Sequence, residues 1–382
     1  MALAQIFKNA YLLLFASIAL YSVALIAIAN PVIYVHKLHT AWLVDVNNPE
    51  QFGFAIQYPT MHNQVTPFNF STPDGETTYA WYVMPLDLYP LGCAEDITKT
   101  EAFQLLKNDP NAYLIINFHG NTGTVAQGWR TDSYCSLSYG SISNIHILAI
   151  EYRSFGLSSG SPTERGVITD GHIVIVGQSL GTAVTSAVVE HFDKQGTDFA
   201  GVVLDAGFRS MSNLLTQYSI LGFVPILAPF SRHHALQRLL TSFVVDELST
   251  RMWLFIIHSK DDPEIPGTQS EGFFAAAANA TTDGGMNIEL FRMMKARTIV
   301  KTGDGSFVST WKASGDKTIR QEVVGHDQHS RNLTHAPVAL AALKAFGMDN
   351  SGKAAPLSLK ISEPICRIPF ETLYCYPKMR YT

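Results

Sequence analysis

Residues Gly177-Gln178-Ser179-Leu180-Gly181 hold a serine between two glycines in the spacing G-x-S-x-G. Chance composition also produces this pattern, so its meaning comes from its surroundings. HIVIV, an apolar β-branched run, stands directly before it, and TAVTSAVVEHF, a helical pattern, stands directly after it. The serine therefore falls on a strand-to-helix turn, which needs small neighbours and lifts the hydroxyl clear at the positive end of the following helix. A serine hydroxyl is a poor nucleophile until an imidazole takes its proton, and that imidazole needs a carboxylate to fix its tautomer and stabilise its charged form. Downstream, WLFIIHSKDDPEIP puts Asp262 just past an apolar run, with Asp261 beside it and Glu264 close behind. The loop before the closing helical pattern contains His326, His329 and His335. The expected triad is Ser179 as nucleophile, Asp262 as acid and His329 as base. Acyl transfer also needs donors for a developing oxyanion. His119-Gly120-Asn121-Thr122-Gly123, after the run ending at Phe118, can offer the Asn121 backbone N–H as partner to that of Leu180. His119 precedes the nucleophile and reads as a loop-positioning residue rather than a base.

These groups need a frame. Apolar β-branched runs predict strands at 79–86, 112–118, 145–152, 173–176, 201–205, 252–258 and 318–324, and helical patterns follow at 182–192 and 337–346. Most of the runs are continuously apolar, as in strands buried on both faces, so the expected architecture is a mostly parallel central sheet with helices on both sides. Residues 36–347 would form this domain, with an apolar lid at about 207–249, rich in Leu, Phe, Ile and Pro, and a polar, glycine-rich insertion at about 281–317. Residues 348–382 read as a tail.

Of the 382 residues 47% are hydrophobic and 15% charged, which argues against disorder. A net charge of −5 with scattered Lys and Arg leaves no basic field for nucleic acid. Cys93, Cys135, Cys366 and Cys375 lack C-x-x-C spacing, and no H-E-x-x-H occurs, so neither a metal nor another cofactor is expected. In an oxidising compartment Cys93 could pair with Cys135, and Cys366 with Cys375. Residues 1–35 read as a membrane anchor, because the twenty residues from Ala10 to Ala29 carry no charge and as a helix reach about 30 Å. Lys8 and Lys37 give too little bias to orient it, and sequons at Asn69, Asn279 and Asn332 permit an outer or lumenal domain. An apolar lid beside an anchor suits a substrate whose acyl chain comes from the bilayer.

Together HGNTG, EYRSFGLSSGSPTERG, GQSLGTAV, HSKDDPEIP and APVALAALKAFG resemble fungal members of the α/β-hydrolase-domain serine hydrolases. These are similar to endoplasmic-reticulum lipases acting on monoacylglycerols and lysophosphatidylserine. The resemblance spans about residues 64–347. It implies the α/β-hydrolase fold, the same triad, a lipid ester as substrate and a lumenal catalytic domain behind one membrane helix. His326, which follows Gly325 as the group's catalytic histidine often follows a glycine, competes with His329 as base. The same scaffold also serves peptidases and acyltransferases. One departure stands out. Between Tyr152 and Ile173 the group has a long helix, and here twenty residues suffice for a crossover but not for a full covering helix. Apolar sheet surface would then lie open beside the elbow, as in a catalytically impaired membrane protein.

Overall fold

The computed structural model describes residues 2–29, 64–72, 75–85, 88, 99–109, 112–121, 124–126, 129–138, 144–152, 158, 172–197, 199–209, 252–282, 284–313 and 318–348. Most of the expected lid, the crossover before Ile173, the tail beyond Met348, and Cys93, Cys366 and Cys375 lie outside these residues, whereas Cys135 is half-buried. The first helix, α1 (Ala2–Ala29), contains the segment Gln5–Val23, long and apolar enough by length and composition to cross a membrane. Its serine hydroxyls are satisfied within the helix, Ser17 bonding the Leu13 carbonyl at 2.9 Å and Ser22 the Ile18 carbonyl at 2.8 Å, so they cost little in an apolar medium.

Ten strands form one sheet among the described residues. In chain order they are β1 (Val65–Ser71), β2 (Thr77–Val83), β3 (Tyr113–Phe118), β4 (Ile145–Ile150), β5 (His172–Gln178), β6 (Gly201–Asp205), β7 (Trp253–Ser259), β8 (Val300–Gly303), β9 (Ser306–Lys312) and β10 (Thr318–Val324). Their order in space is β1-β2-β4-β3-β5-β6-β7-β10-β9-β8. The run from β4 to β10 is parallel, and the strands on either flank of it are antiparallel. The direction of winding reverses between β3 and β5. A crevice opens at such a reversal, outside the carboxyl ends of the strands.

The described helices of the domain are α2 (Lys99–Asn108), α3 (Trp129–Ser138), α4 (Leu180–Asp193), α5 (Thr268–Ala280), α6 (Ile288–Ala296) and α7 (Ala336–Ala345). On one face Tyr134 and Leu137 of α3 and Val338, Ala341 and Ala342 of α7 pack on alternate residues of the central strands. On the other, Val189 of α4 and Phe273, Phe274 and Ala277 of α5 cover the remaining set. With period-2 alternation, burial of both sets is what makes the central positions of β5 to β7 a continuous apolar run.

Three strands and several helices were not expected. The stretch 281–317, read as an insertion, supplies α6, β8 and β9 and extends the sheet at one edge. Its strands escape a search for apolar runs because β8 is exposed throughout and β9 only partly buried. The open apolar surface expected beside the elbow is not found among the described residues: Ile173, Val174, Ile175 and Val176 are at most 1% exposed.

Candidate active site

Ser179 sits between β5 and α4 with φ 52° and ψ −116°, a backbone conformation that L side chains rarely adopt. Its N–H donates to the Asp205 carbonyl at 2.9 Å, and its own carbonyl accepts from the Thr182 N–H at 3.0 Å and the Thr182 hydroxyl at 2.6 Å. The flanking glycines are required by space. A Cβ on Gly181 would lie 2.0 Å from the Phe118 carbonyl oxygen, and one on Gly177 would lie 2.4 Å from both the Gly181 carbonyl oxygen and the Thr185 hydroxyl. The elbow therefore holds its strain by close backbone contact with the end of β3.

The histidine arrives from the loop after β10. His329 Nδ1 lies 2.8 Å from Asp262 Oδ2, and the Asp262 side chain is wholly buried. Asp262 Oδ1 is occupied elsewhere, accepting the backbone N–H groups of Glu264 at 2.8 Å and Ile265 at 2.9 Å. The His329 carbonyl accepts from Gln178 Nε2 at 3.1 Å, which ties the histidine loop to the residue preceding Ser179. Nε2 of His329 is not hydrogen-bonded to the Ser179 hydroxyl among the described residues; Glu264 Oε2 is 3.7 Å from it. Such nucleophile–base bonds are commonly long in free enzymes and tighten around substrate. Burial alone would lower the His329 pKa. The Asp262 hydrogen bond, with the charges of Asp262, Glu264 and Asp205, outweighs burial and holds it above the ordinary histidine value.

The other two histidines are turned to different partners. The His326 side chain is 76% exposed and stands 3.7 Å from Asp261 Oδ2, and His335 Nδ1 contacts Asp327 Oδ1 at 2.6 Å. The paired aspartates also divide their work. Asp261 Oδ1 accepts the Ser259 hydroxyl at 2.5 Å and the N–H groups of Asp327 at 3.1 Å and Gln328 at 2.8 Å, and so pins the backbone leading into His329. The Ser259 bond foremost, with these two N–H groups and nearby His326, holds the Asp261 carboxyl below the usual carboxylate range.

Asp205, at the end of β6, lies behind this loop. It is fully buried, accepts from Asn332 Nδ2 at 2.8 Å, and its pKa is pushed up to about 7, chiefly by desolvation. Asn332 is itself wholly buried, so its sequon is closed in the folded protein, whereas Asn69 and Asn279 are exposed.

The expected oxyanion loop lies against the elbow: a Cβ on Gly120 would meet Gln178 Oε1 at 2.3 Å and Ser179 Cβ at 3.3 Å. Leu180 opens α4, where the first N–H groups lack partners within the helix. Behind the loop a buried network converges. His119 Nε2 is 2.8 Å from Glu151 Oε1, Glu151 Oε2 accepts the Val125 N–H at 2.9 Å, and Arg130 donates to the Thr124 carbonyl at 2.7 Å and the Gly120 carbonyl at 3.1 Å.

The strand order, the strained serine after β5, and a carboxylate and histidine following β7 and β10 are now in place together. The chain has the α/β-hydrolase fold. No family model matches it. The α/β-hydrolase chain is 26% identical to the human protein ABHD12B over 289 residues, 70% of this chain and 74% of that one. It is 22% identical to the zebrafish (Danio rerio) lysophosphatidylserine lipase ABHD12 over 295 residues, 69% of this chain and 70% of that one. Among solved structures it is similar to the Pyrococcus furiosus esterase Pf2001 at 13% identity and TM-score 0.41, covering 73% of this chain and 89% of that one. A Vibrio vulnificus alpha-beta hydrolase is 15% identical with TM-score 0.44, covering 77% of this chain and 92% of that one.

Of the residues expected from the sequence, the structure joins His329 to Asp262, ties the His329 loop to the residue before Ser179, and sets Gly120 against Ser179, with Leu180 and Asn121 next to these in the chain. Sequence reasoning did not assign Gln178, Asp261, Arg130 or Glu151. The doubled acid of the DD pair was a visible signal for Asp261, whereas Glu151 looked like the polar end of a strand.

Proposed function

We propose that this chain is a serine hydrolase that cleaves a carboxylic ester of an acyl lipid, such as a monoacylglycerol or lysophospholipid, through an acyl-enzyme. The observation that carries the reading is the strained elbow at Ser179, tied through Gln178 to the loop in which His329 is hydrogen-bonded to Asp262. Relatives named lysophosphatidylserine lipases support the substrate class. In this reading His329 Nε2 removes the hydroxyl proton as Ser179 Oγ attacks the ester carbonyl carbon. Asp262 keeps the imidazole proton on Nδ1 and stabilises the imidazolium. The Asn121 and Leu180 N–H groups take the negative charge of the tetrahedral oxygen. Collapse expels the alcohol, protonated from His329, and water activated by the same histidine then releases the fatty acid and regenerates the serine.

The N-terminal helix serves as a single-pass anchor in this reading, with the catalytic domain in the lumen of the endoplasmic reticulum. The exposed sequons at Asn69 and Asn279 fit that side, and endoglycosidase treatment of the expressed full chain should remove glycan from them but none from Asn332. For the chemistry, a fluorophosphonate probe should label the detergent-solubilised full chain and leave Ser179→Ala unlabelled, and wild type should release fatty acid from monoacylglycerol or lysophosphatidylserine vesicles. Equal labelling of both proteins would remove Ser179 from the mechanism. Probe labelling with cleavage of peptides but no lipid ester would move the reading to a peptidase.

A further inference from the structure

The peptide joining Gly120 to Asn121 is trans, so its C=O and its N–H point in opposite directions. The C=O is held from behind by two donors, His119 Nδ1 at 2.8 Å and Arg130 Nη2 at 3.1 Å. Whatever fixes this carbonyl therefore also aims the Asn121 N–H. His119 meets acceptors on both sides of its ring, since its other nitrogen, Nε2, stands 2.8 Å from Glu151 Oε1. A backbone carbonyl can only accept, and a carboxylate can only accept. A neutral imidazole carries one N–H and satisfies one of them, leaving two lone pairs facing each other at the second contact as long as Glu151 is ionised.

We propose that Glu151 is the positioning residue of the oxyanion loop, acting through His119, and that it does so by holding His119 as an imidazolium whose two N–H groups brace the Gly120 carbonyl and the Glu151 carboxylate. This rests on the reading of Asn121 as an oxyanion donor. His119 and Glu151 are buried, and the second Glu151 oxygen is committed to the Val125 N–H at 2.9 Å. The titratable and charged groups around the pair are Arg130 and Tyr134 from α3, Tyr79 from β2, and Tyr152 just beyond β4, whose hydroxyl donates to the His119 carbonyl at 2.5 Å. Burial first, and then the Arg130 charge, draw the His119 pKa below the ordinary histidine value against the opposing pull of Glu151 and the Gly120 carbonyl. The brace is therefore complete at acidic pH and loosens as pH rises and the ring loses its second proton.

Glu151→Gln separates the proton from the geometry. Its amide oxygen can take the Val125 N–H while its NH₂ donates to His119 Nε2, and Nδ1–H still holds the Gly120 carbonyl, so every bond forms with a neutral ring. Glu151→Ala leaves the ring unsupported. With the full chain and p-nitrophenyl butyrate, Glu151→Ala should lower kcat by about 100-fold with KM little changed, the size of losing one oxyanion donor. Glu151→Gln should keep kcat near wild type at acidic pH, and the ratio of its activity to that of wild type should rise steadily from pH 5.5 to 8.5. Independently of turnover, ¹⁵N-histidine NMR at pH 5.5, assigned with His119→Gln, should show both His119 ring nitrogens protonated in wild type and only one in Glu151→Gln. A flat activity ratio, equal damage from both substitutions, or a singly protonated His119 at pH 5.5 would overturn the proposal. A wild type that shows the doubly protonated ring but neither hydrolyses the ester nor takes a fluorophosphonate would instead count against the hydrolase reading.

Discussion

Replacing Asp262 with asparagine tests the division of labour within one carboxylate. Asp262 Oδ1 accepts two backbone N–H groups, from Glu264 and Ile265, and only Oδ2 faces His329 Nδ1. In Asp262→Asn those two donors hold the amide oxygen in the Oδ1 position, since the reverse orientation would set an NH₂ against two N–H groups. The NH₂ must then point at His329 Nδ1, which can only accept from it. The imidazole proton moves to Nε2, and the nitrogen that should take the Ser179 proton no longer has a lone pair to offer. The side chain stays isosteric, so the fold should survive, with a Tm within a few degrees of wild type. A wrong tautomer in the serine-protease triad that serves as the standard worked example lowers kcat about 10⁴-fold. The same loss here corresponds to about 5.5 kcal/mol of transition-state stabilisation. Steady-state kinetics on p-nitrophenyl butyrate with the full chain would measure it, with KM little changed and circular dichroism to confirm folding. The substitution also removes the principal influences that raise the His329 pKa, so residual activity should persist to lower pH than in wild type. A folded Asp262→Asn protein within tenfold of wild-type kcat would refute the tautomer argument and with it the role given to Asp262.

Five further substitutions probe the frame and the histidine loop. Gly181→Ala puts a Cβ 2.0 Å from a backbone oxygen that cannot swing away, so it should cost about 3 kcal/mol or more and lower both Tm and folded yield. Gly267→Ala, whose nearest neighbour would be 3.9 Å away, is the control and should shift stability by less than about 1 kcal/mol. Asp205 favours its neutral form when folded, so its contribution to stability is complete below about pH 4 and is lost as pH rises toward about 7. Over that interval the loss is on the order of 4 kcal/mol, and Asp205→Asn should abolish it. The Tm difference between Asp205→Asn and wild type should therefore grow in favour of the variant from pH 5 to pH 8, and a constant difference would count against a strained carboxyl there. His326→Ala should keep kcat within about threefold of wild type because its ring is 76% exposed and lies 3.7 Å from its nearest anionic partner, whereas His329→Ala should abolish turnover.

What could be read from the sequence follows burial. Strands β5, β6 and β7 are covered on both faces, so their middle positions are selected to be apolar and the runs stand out without an alignment. The elbow was legible for the same reason, since a buried strand, two glycines and a helical pattern leave little freedom for what lies between. The edge formed by β8 and β9 was not legible, because β8 is exposed and β9 mixes buried and open positions, which reads as a polar, glycine-rich insertion.

Helix α3 shows the limit most clearly. Its sequence WRTDSYCSLS has no apolar stripe, yet Arg130, Thr131, Ser133 and Tyr134 are buried. A helix packed against a polar loop needs polar side chains to satisfy that loop's carbonyls, and hydrophobic periodicity disappears where the core is built from hydrogen bonds. Arg130 holds the Thr124 and Gly120 carbonyls, and Tyr134 holds that of Val125 at 3.0 Å. Glu151 was hidden in another way. Nothing near it in sequence explains a buried carboxylate, because its partner His119 lies thirty-two positions earlier and reaches it only where β3 and β4 pair in parallel. The residues proposed as nucleophile, acid and base stand out through local spacing, while the groups packed behind them are set by the fold, so an isolated acidic residue ending an apolar strand is worth testing whenever the strand beside it ends in a histidine-glycine loop.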